Sequence, residues 1–321
     1  MPTDAVWLAA AARLAAHGRP LSRPNPAVGC LIVRDGRVVG RGWTMPGGRP
    51  HAEAVALDMA GSAARGAAVY VTLEPCAHRS ERGPACADLL VRAAPARVVI
   101  GLEDPDPRTA GSGIARLRDA GIAVDLIASP ACEDSLTGYL LRARRGRPHV
   151  TLKLAMSLDG CIALADGSSR WITGPEARAH VHARRARADA ILVGGGTWRS
   201  DAPRLDVRLP GLEDRSPERW VLTRSDKPEG ARALSTPEDI SRIEGAQCLY
   251  VEGGAQTAAA FLAADLVDRL EIYRAPILIG DGLRAIAGFA PDTLDEAHGR
   301  WAPTERAQLG SDSFTAYRRQ R

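Results

Sequence analysis

The chain has 321 residues, 45% hydrophobic and 25% charged, a composition that excludes a disordered or membrane-embedded chain and, at ~100 to 200 residues per domain, predicts two domains. The formal net charge of +4 is small and spread over both halves, without the dense basic stripe of a dedicated nucleic-acid binder. No window approaches the ~18 apolar residues of a spanning helix, and the first residues up to Asp4 carry no basic run, which argues against a signal peptide and for a cytoplasmic location.

Residues 4–16 carry apolar positions at helical spacing (Val6, Leu8, Leu14) and stop at Gly18. Two apolar runs at 27–34 and 37–43 flank Asp35-Gly36, the strongest short hairpin signal. From His51 the pattern alternates: a helix ending at Gly61, a strand at 68–73, a helix from Pro84, a strand at 97–102, a helix ending at Gly121 and a strand at 122–127. Such alternation implies crossovers and parallel pairing, so the first half is expected to wrap helices around a mixed sheet. The basic, turn-forming stretch 142–148 is read as the domain boundary. A second α/β pattern follows, with strands at 150–155, 190–193, 220–223, 247–251 and 269–274 and helices at 175–188 and up to Ala264. The stretches 209–218 and 226–245 are rich in Pro, Gly and charge and read as loops.

Two compositional features single out residues. Of the 42 basic residues only Lys153 and Lys227 are lysines, and lysine differs from arginine in its easily shifted pKa and compact ammonium. The six cysteines form no regular framework, and a cytosolic chain of this length needs no disulfide staples. The pair Cys76 and Cys86 is the exception that bears chemistry.

His51-Ala52-Glu53 opens a helix after a Gly-Gly-Arg-Pro turn, while Pro75-Cys76 ends a strand and Pro84-Ala85-Cys86 follows. One imidazole and two thiolates suit Zn²⁺ and leave a fourth tetrahedral position for water. Glu53, two residues from the His ligand, is placed to act as general acid and base beside that water rather than as a ligand. The arrangement is that of zinc deaminases acting on nucleobases, except that nine residues separate the two cysteines and His78 lies between them as an alternative ligand. Structural zinc sites use four ligands and are closed; here three ligands and a neighbouring Glu are apparent.

The strings Pro24-Asn25-Pro26-Ala27-Val28-Gly29-Cys30, His51-Ala52-Glu53 and Thr72-Leu73-Glu74-Pro75-Cys76-Ala77-His78 resemble the deaminase domain of the bifunctional riboflavin-biosynthesis deaminase-reductases. Asp104-Pro105-Asp106-Pro107 and the Ala110 to Ile114 string are similar to a later signature of that family. The resemblance implies a cytidine-deaminase-like three-layer α/β domain with a mixed sheet over 1–146 and a dihydrofolate-reductase-like α/β domain over 147–321. It tolerates a long loop between the cysteines, which accounts for the spacing. It also implies that Asn25 and Asp104 contact the pyrimidine or its ribose phosphate and that Arg79 or Arg82 meets the phosphate. Thr44 departs from the family pattern, in which many relatives carry a histidine.

The resemblance continues through the second half at Thr151 to Gly160, Trp171-Ile172-Thr173-Gly174, Asp189 to Gly194, Asp201 to Leu205 and Val251-Glu252-Gly253-Gly254. No Gly-x-Gly-x-x-Gly fingerprint is present, so a Rossmann domain is not implied. The family's chemistry is NADPH-dependent reduction of a ribosylamine to a ribityl chain, for which Lys153 is the candidate proton donor or electrostatic stabiliser. By the resemblance Ser169, Arg185, Leu205, Arg208 and Glu252 contact the substrate, with Arg185 and Arg208 clamping its phosphate. Ala155, Trp171, Thr197, Asp201, Ser225 and Gly254 contact the cofactor. The glycine turns at 194–196 and 253–254 each lie between a strand and a helix, where bare backbone amides can hold phosphate or glycine can simply serve the geometry of the turn. The second half is shorter than is usual in the family between Arg208 and Val251, which opens the reading of a deaminase with a degenerate reductase half.

The chain is therefore expected to be a bifunctional hydrolase and oxidoreductase. It would use Zn²⁺ and NADPH on a small pyrimidine ribosylamine phosphate, without nucleic-acid or membrane partners, and homo-oligomerise as the family implies. A tRNA-type base deaminase shares the zinc motif but predicts a basic groove with aromatic stacking surfaces. Aromatic residues make up 4% of the chain, and that reading leaves the second half unexplained.

Overall fold

The computed structural model describes residues 2–78, 82–225 and 228–321 and divides the chain into two compact units, 1–146 and 147–321. Both are α/β, and no helix among the described residues is long and apolar enough to cross a membrane.

In the first unit the order is α1 (Asp4–Ala15), β1 (Gly29–Arg34), β2 (Arg37–Trp43), α2 (Ala52–Ala60), β3 (Ala68–Val71), α3 (Cys86–Ala93), β4 (Arg97–Ile100), α4 (Ser112–Asp119), β5 (Ala123–Leu126) and α5 (Pro130–Arg145). The sheet runs β2-β1-β3-β4-β5, antiparallel from β2 to β3 and parallel from β3 to β5. Alternation along the strands feeds two cores. Cys30, Ile32, Val69, Val71, Val98 and Ile100 pack with α2, α3 and α4, whereas Leu31, Val33, Tyr70 and Val99 pack with α1 and the start of α5. A Cβ at Gly42 would fall 2.3 Å from the Ala52 carbonyl, so glycine is what lets β2 seat the first turn of α2 directly on the sheet. That contact fixes the helix start that carries His51 and Glu53.

One expectation is corrected here. Arg142, Arg144 and Arg145 do not form a turn but the last turn of α5, which ends at Gly146 with φ 69°. Thr44, the family departure, is buried, and its hydroxyl accepts the Val28 amide at 3.0 Å, so it stitches the β1–β2 hairpin.

The second unit contains β6 (His149–Met156), β7 (Cys161–Ala163), α6 (Pro175–Arg185), β8 (Ala190–Gly194), α7 (Gly195–Asp201), β9 (Glu218–Leu222), β10 (Arg232–Leu234), β11 (Cys248–Val251), α8 (Ala255–Ala263), β12 (Arg269–Arg274), β13 (Leu283–Arg284), α9 (Leu294–Ala297), β14 (Trp301–Leu309) and β15 (Asp312–Arg319). The large sheet runs β10-β9-β8-β11-β6-β12-β15-β14, with β7 and β13 forming a separate pair. Its strands are parallel from β10 to β12, and β15 and β14 then add antiparallel. On β6, Val150, Leu152 and Leu154 enter a core with Ala258 and Phe261 of α8. The alternate positions, including Lys153, therefore lie on the opposite face of the sheet. On that face Ala177 and Val181 of α6 pack with Ile191, Val193 and Tyr250.

The start of β6 is pinned by Asp268, a buried carboxylate. It accepts from Arg147 at 2.7 and 2.9 Å, the Val150 amide at 2.9 Å and Arg321 at 2.7 Å. Burial alone would raise its pKa, but Arg147, His149 and the Val150 amide outweigh this and hold it below the usual carboxylate value. Asp268→Asn is expected to destabilise this unit by about 3 kcal/mol at pH 7, since breaking a buried pair strands the remaining charge. Because the folded pKa is depressed, the carboxylate's contribution is fully present above the unfolded value of ~3.9 and is lost as pH falls through the lower folded one. Urea titrations should accordingly show the gap between wild type and variant closing below about pH 4.

Candidate functional site

In the first unit three junctions converge. His51 is the N-cap of α2, Cys76 follows β3, and Cys86 is the first residue of α3. His51 Nδ1 lies 3.6 Å from Cys76 Sγ and 3.3 Å from Cys86 Sγ, and the three donor atoms lie within 4.8 Å of one another. Tetrahedral zinc, with bonds of about 2.0 to 2.3 Å, sets such ligands about 3.5 Å apart, so the donor set fits zinc in both chemistry and spacing. His78 is not in the cluster; its Nδ1 lies 3.4 Å from Thr109 Oγ1.

The cluster is prepared for deprotonated ligands. Hydrogen bonding with Cys86 favours the Cys76 thiolate, aided by His51 and by the α3 amide of Cys86, which donates to Cys76 Sγ at 3.3 Å. The same pairing, with burial and the nearby Glu53, pushes Cys86 the other way. Glu53 is buried, and that burial raises its carboxyl to about 7 against the opposing pull of His51. A carboxyl in this range suits both halves of a proton shuttle at neutral pH.

The outer partners are positioned by backbone. The Asn25 side-chain nitrogen lies 3.3 Å from His51 Nε2 and donates to the Gly48 carbonyl at 3.0 Å, so Asn25 orients the ring from the side away from the cysteines. Asp104 is buried and accepts from Tyr139 Oη at 2.7 Å and the Asp106 amide at 3.0 Å. Its loop is held by the buried Glu74, whose carboxylate accepts from the amides of Asp104, Gly111, Gly113 and Ile114. Tyr139 carries no sequence signal for this site; Glu74 stands in the string before Cys76, but its role in holding the Asp104 loop does not follow from that position. Arg82 donates to the Gly47 carbonyl at 2.7 Å, closing the cysteine loop onto the turn before His51; Arg79 lies outside the described residues.

The second unit holds a cavity of roughly 1640 Å³. It opens beyond the carboxyl ends of β8, β9 and β11, where open α/β sheets bind ligands. Single small-molecule pockets span about 300 to 1,000 Å³, so this one has room for a dinucleotide and a second ligand together. Lys153, Ser169, Arg185, Leu205, Arg208 and Glu252 all line it, as do Ala155, Trp171, Thr197, Asp201, Ser225 and Gly254.

At its floor lies a charged triad. Arg185 donates through Nε and Nη2 to the two oxygens of Glu252, at 2.6 and 3.0 Å, and Lys153 Nζ lies 3.7 Å from the same carboxylate. Burial works against the Glu252 charge, but Arg185 and Lys153 outweigh it and lower its pKa. The Arg185 fork expected to clamp phosphate is thus occupied by Glu252. Arg208 instead meets His182 and Asp206.

At the rim Trp171 is exposed, with the Arg178 guanidinium 4.7 Å over its ring. Leu205 adopts φ 54°, a conformation costing a branched residue ~1–2 kcal/mol, of the kind found at ligand-binding turns. The glycine turns divide in role. A Cβ at Gly194 or Gly253 would strike Thr257 at 2.2 and 2.3 Å, so those two serve helix packing. At Gly196 an added Cβ would meet nothing within 4 Å, so this glycine is not required by packing. His182, which also lines the cavity, carries no sequence signal: His180-Val181-His182 reads as an ordinary surface helix turn.

Both halves of the chain match known families. Residues 1–102 match the sequence model of the cytidine and deoxycytidylate deaminase zinc-binding region, and residues 148–306 match that of the RibD C-terminal domain. The riboflavin biosynthesis protein RibD of Escherichia coli K12 is 40% identical, covering 88% of this chain and 90% of its own. That of Haemophilus influenzae is 37% identical, covering 98% and 97%. Acinetobacter baumannii RibD superposes with a TM-score of 0.86 at 33% identity over 99% of both chains. The Thermotoga maritima diaminohydroxyphosphoribosylaminopyrimidine deaminase/5-amino-6-(5-phosphoribosylamino)uracil reductase gives 0.87 at 30% identity, again over 99% of both.

Proposed function

The chain belongs to the RibD family of riboflavin-biosynthesis proteins, and we propose that its two units carry out successive steps on one pyrimidine ribosylamine phosphate. It is a bifunctional enzyme with a zinc-dependent deaminase half and an NADPH-dependent reductase half. The observation that carries the first half is the convergence of His51 Nδ1 with the sulfurs of Cys76 and Cys86 beside the buried Glu53.

In the deaminase, His51, Cys76 and Cys86 would hold the zinc, which would supply Lewis acidity toward water at neutral pH. Glu53 takes the water's proton and returns it to the departing amine of 2,5-diamino-6-(5-phosphoribosylamino)pyrimidin-4-one, releasing ammonia. Asn25 and Asp104 orient the pyrimidine, and Arg82 keeps the cysteine loop closed.

In the reductase, the cofactor NADPH would supply, when bound, the hydride that reduces the ribosylamine carbon to the ribityl chain. Ala155, Trp171, Thr197, Asp201, Ser225 and Gly254 hold the cofactor; Ser169, Leu205 and Arg208 hold the substrate. Lys153 Nζ donates the proton that ring opening requires, and Glu252, locked by Arg185, fixes the ammonium in place. The reading takes the small-molecule substrate as the sole partner, with a cytoplasmic, homo-oligomeric enzyme as the family implies. A degenerate second half is disfavoured by a cavity lined by the whole expected set.

The test is to assay both steps on one preparation before and after metal removal with a chelator. Ammonia release should disappear and return with added zinc, while NADPH oxidation with the deaminated intermediate continues. Ammonia release that survives complete zinc removal would refute the deaminase mechanism.

A further inference from the structure

We propose that His182 is a phosphate-binding residue of the reductase pocket, sharing the substrate's phosphate with Arg208; the proposal rests on the reductase reading above. His182 lies on the last turn of α6 and lines the cavity with Lys153, Arg185 and Arg208. Its Nδ1 lies 3.2 Å from the Arg208 backbone N–H and its Nε2 lies 3.3 Å from Arg208 Nη2. Both partners are obligatory donors, and a neutral imidazole has a single acceptor nitrogen while a protonated one has none. In no protonation state are both contacts hydrogen bonds.

The backbone amide is the donor that cannot rotate away, so Nδ1 accepts from it and Nε2 carries the hydrogen. Two donors, Nε2–H of His182 and Nη2–H of Arg208, then face one another from separate segments at 3.3 Å. An anionic oxygen shared by both removes the conflict. Nearby carboxylates are committed elsewhere. Both oxygens of Glu252 are taken by Arg185, and Asp206 pairs through Oδ2 with Arg204 at 2.6 Å while its Oδ1 lies 3.4 Å from Arg208 Nη1, a different nitrogen from the one that faces His182. The surroundings also keep the ring neutral, since burial and then Arg185 and Arg208 depress its pKa, against the opposing pull of Glu252 and the Asp206 backbone. With the Arg185 fork closed on Glu252, the clamp on the phosphate is formed by His182 and Arg208.

The donor and acceptor pattern dictates the test. In His182→Leu both the acceptor and the donor are lost. In His182→Gln the side-chain oxygen can accept the Arg208 amide while the –NH₂ donates outward, as the neutral ring does. Initial rates of NADPH oxidation by the full chain are measured with the deaminated intermediate and with its dephosphorylated form. The preference in kcat/KM for the phosphorylated compound should fall about tenfold or more in the Leu variant, the size expected for one charge-assisted hydrogen bond. The Gln variant should recover most of it, and inorganic phosphate should inhibit wild type and Gln variant more strongly than the Leu variant.

An equal loss on both compounds would mean a purely structural role, and a Gln variant as poor as the Leu variant would also overturn the proposal. A rise in KM confined to NADPH would reassign the pair to a cofactor phosphate and refute it. Wild-type protein that oxidises NADPH with neither compound would sink the reductase reading itself, a distinguishable failure that takes the proposal with it.

Discussion

Glu53→Gln is expected to keep about one zinc ion per chain while losing deamination by roughly 10²- to 10⁴-fold, the range of a general acid–base residue. The substitution is nearly isosteric. Glu53 sits buried on the first turn of α2, two residues after the His51 ligand, and a Gln side chain there neither creates a cavity nor disturbs the three metal donors. What it removes is the site where a proton can rest between water and leaving amine. Burial, by raising the carboxyl to about 7, makes that site serviceable in both directions, and an amide has no counterpart. Zinc content by elemental analysis and ammonia release by a coupled assay decide the matter. Loss of zinc would make Glu53 a ligand, and retention of more than a tenth of the activity would leave the proton transfer to some other group. NADPH oxidation with the deaminated intermediate should be unchanged in the same preparation, because the two units carry separate sites.

His51, Cys76 and Cys86 were legible because zinc restricts ligands to a few residue types and because each stands at a strand–helix junction that local sequence reveals. Glu53 follows from its distance to His51. What was not legible is the shell behind them. Tyr139 reaches Asp104 from α5, thirty-five residues along the chain, and Glu74 gathers four amides from the loop beyond β4 and the first turn of α4. Such contacts are set by tertiary placement, and neither residue type nor spacing announces them. Asn25 shows the intermediate case: between two prolines it reads as a turn residue, and only its 3.3 Å approach to His51 Nε2 gives it a place at the site.

The fold divides along a similar line. The Asp35-Gly36 hairpin and the alternating elements from α2 to β5 follow from turn chemistry and periodicity. Helix α5 is absent from the sequence reading although Ser129 caps it and Pro130 occupies its first position, because its basic last turn reads as part of a turn-forming domain boundary. The strand β14 was missed because it is an edge strand, mostly exposed, with Pro303 beside a register shift; its burial pattern gives no apolar alternation to detect. The stretch 226–245, read as loop, contains β10 and lines the cavity through Ser235 and Thr236. A shortened segment therefore still contributes to the site.

Lys153→Met is expected to lower the reductase rate by about 10²-fold or more, with NADPH binding and deamination retained. The geometry makes this a chemical rather than a structural loss. Glu252 keeps both of its short contacts to Arg185 when the lysine is removed, so no buried carboxylate is stranded, and the methionine stem covers the same apolar surface. Lys153→Arg then separates the two roles open to the lysine. A guanidinium restores the positive charge beside Glu252 but does not release a proton in the accessible pH range. If Lys153 acts only through its field, the Arg variant recovers a large part of the rate; if it delivers the proton of ring opening, the Arg variant is as slow as the Met variant. The second result is the expected one, read from single-turnover rates of NADPH oxidation at saturating cofactor. Rates near wild type in the Met variant would remove Lys153 from the mechanism altogether. The Arg control carries weight because Arg replaces Lys almost everywhere else in this chain: a lysine kept at the centre of β6, 3.7 Å from a buried carboxylate, supplies something that arginine does not.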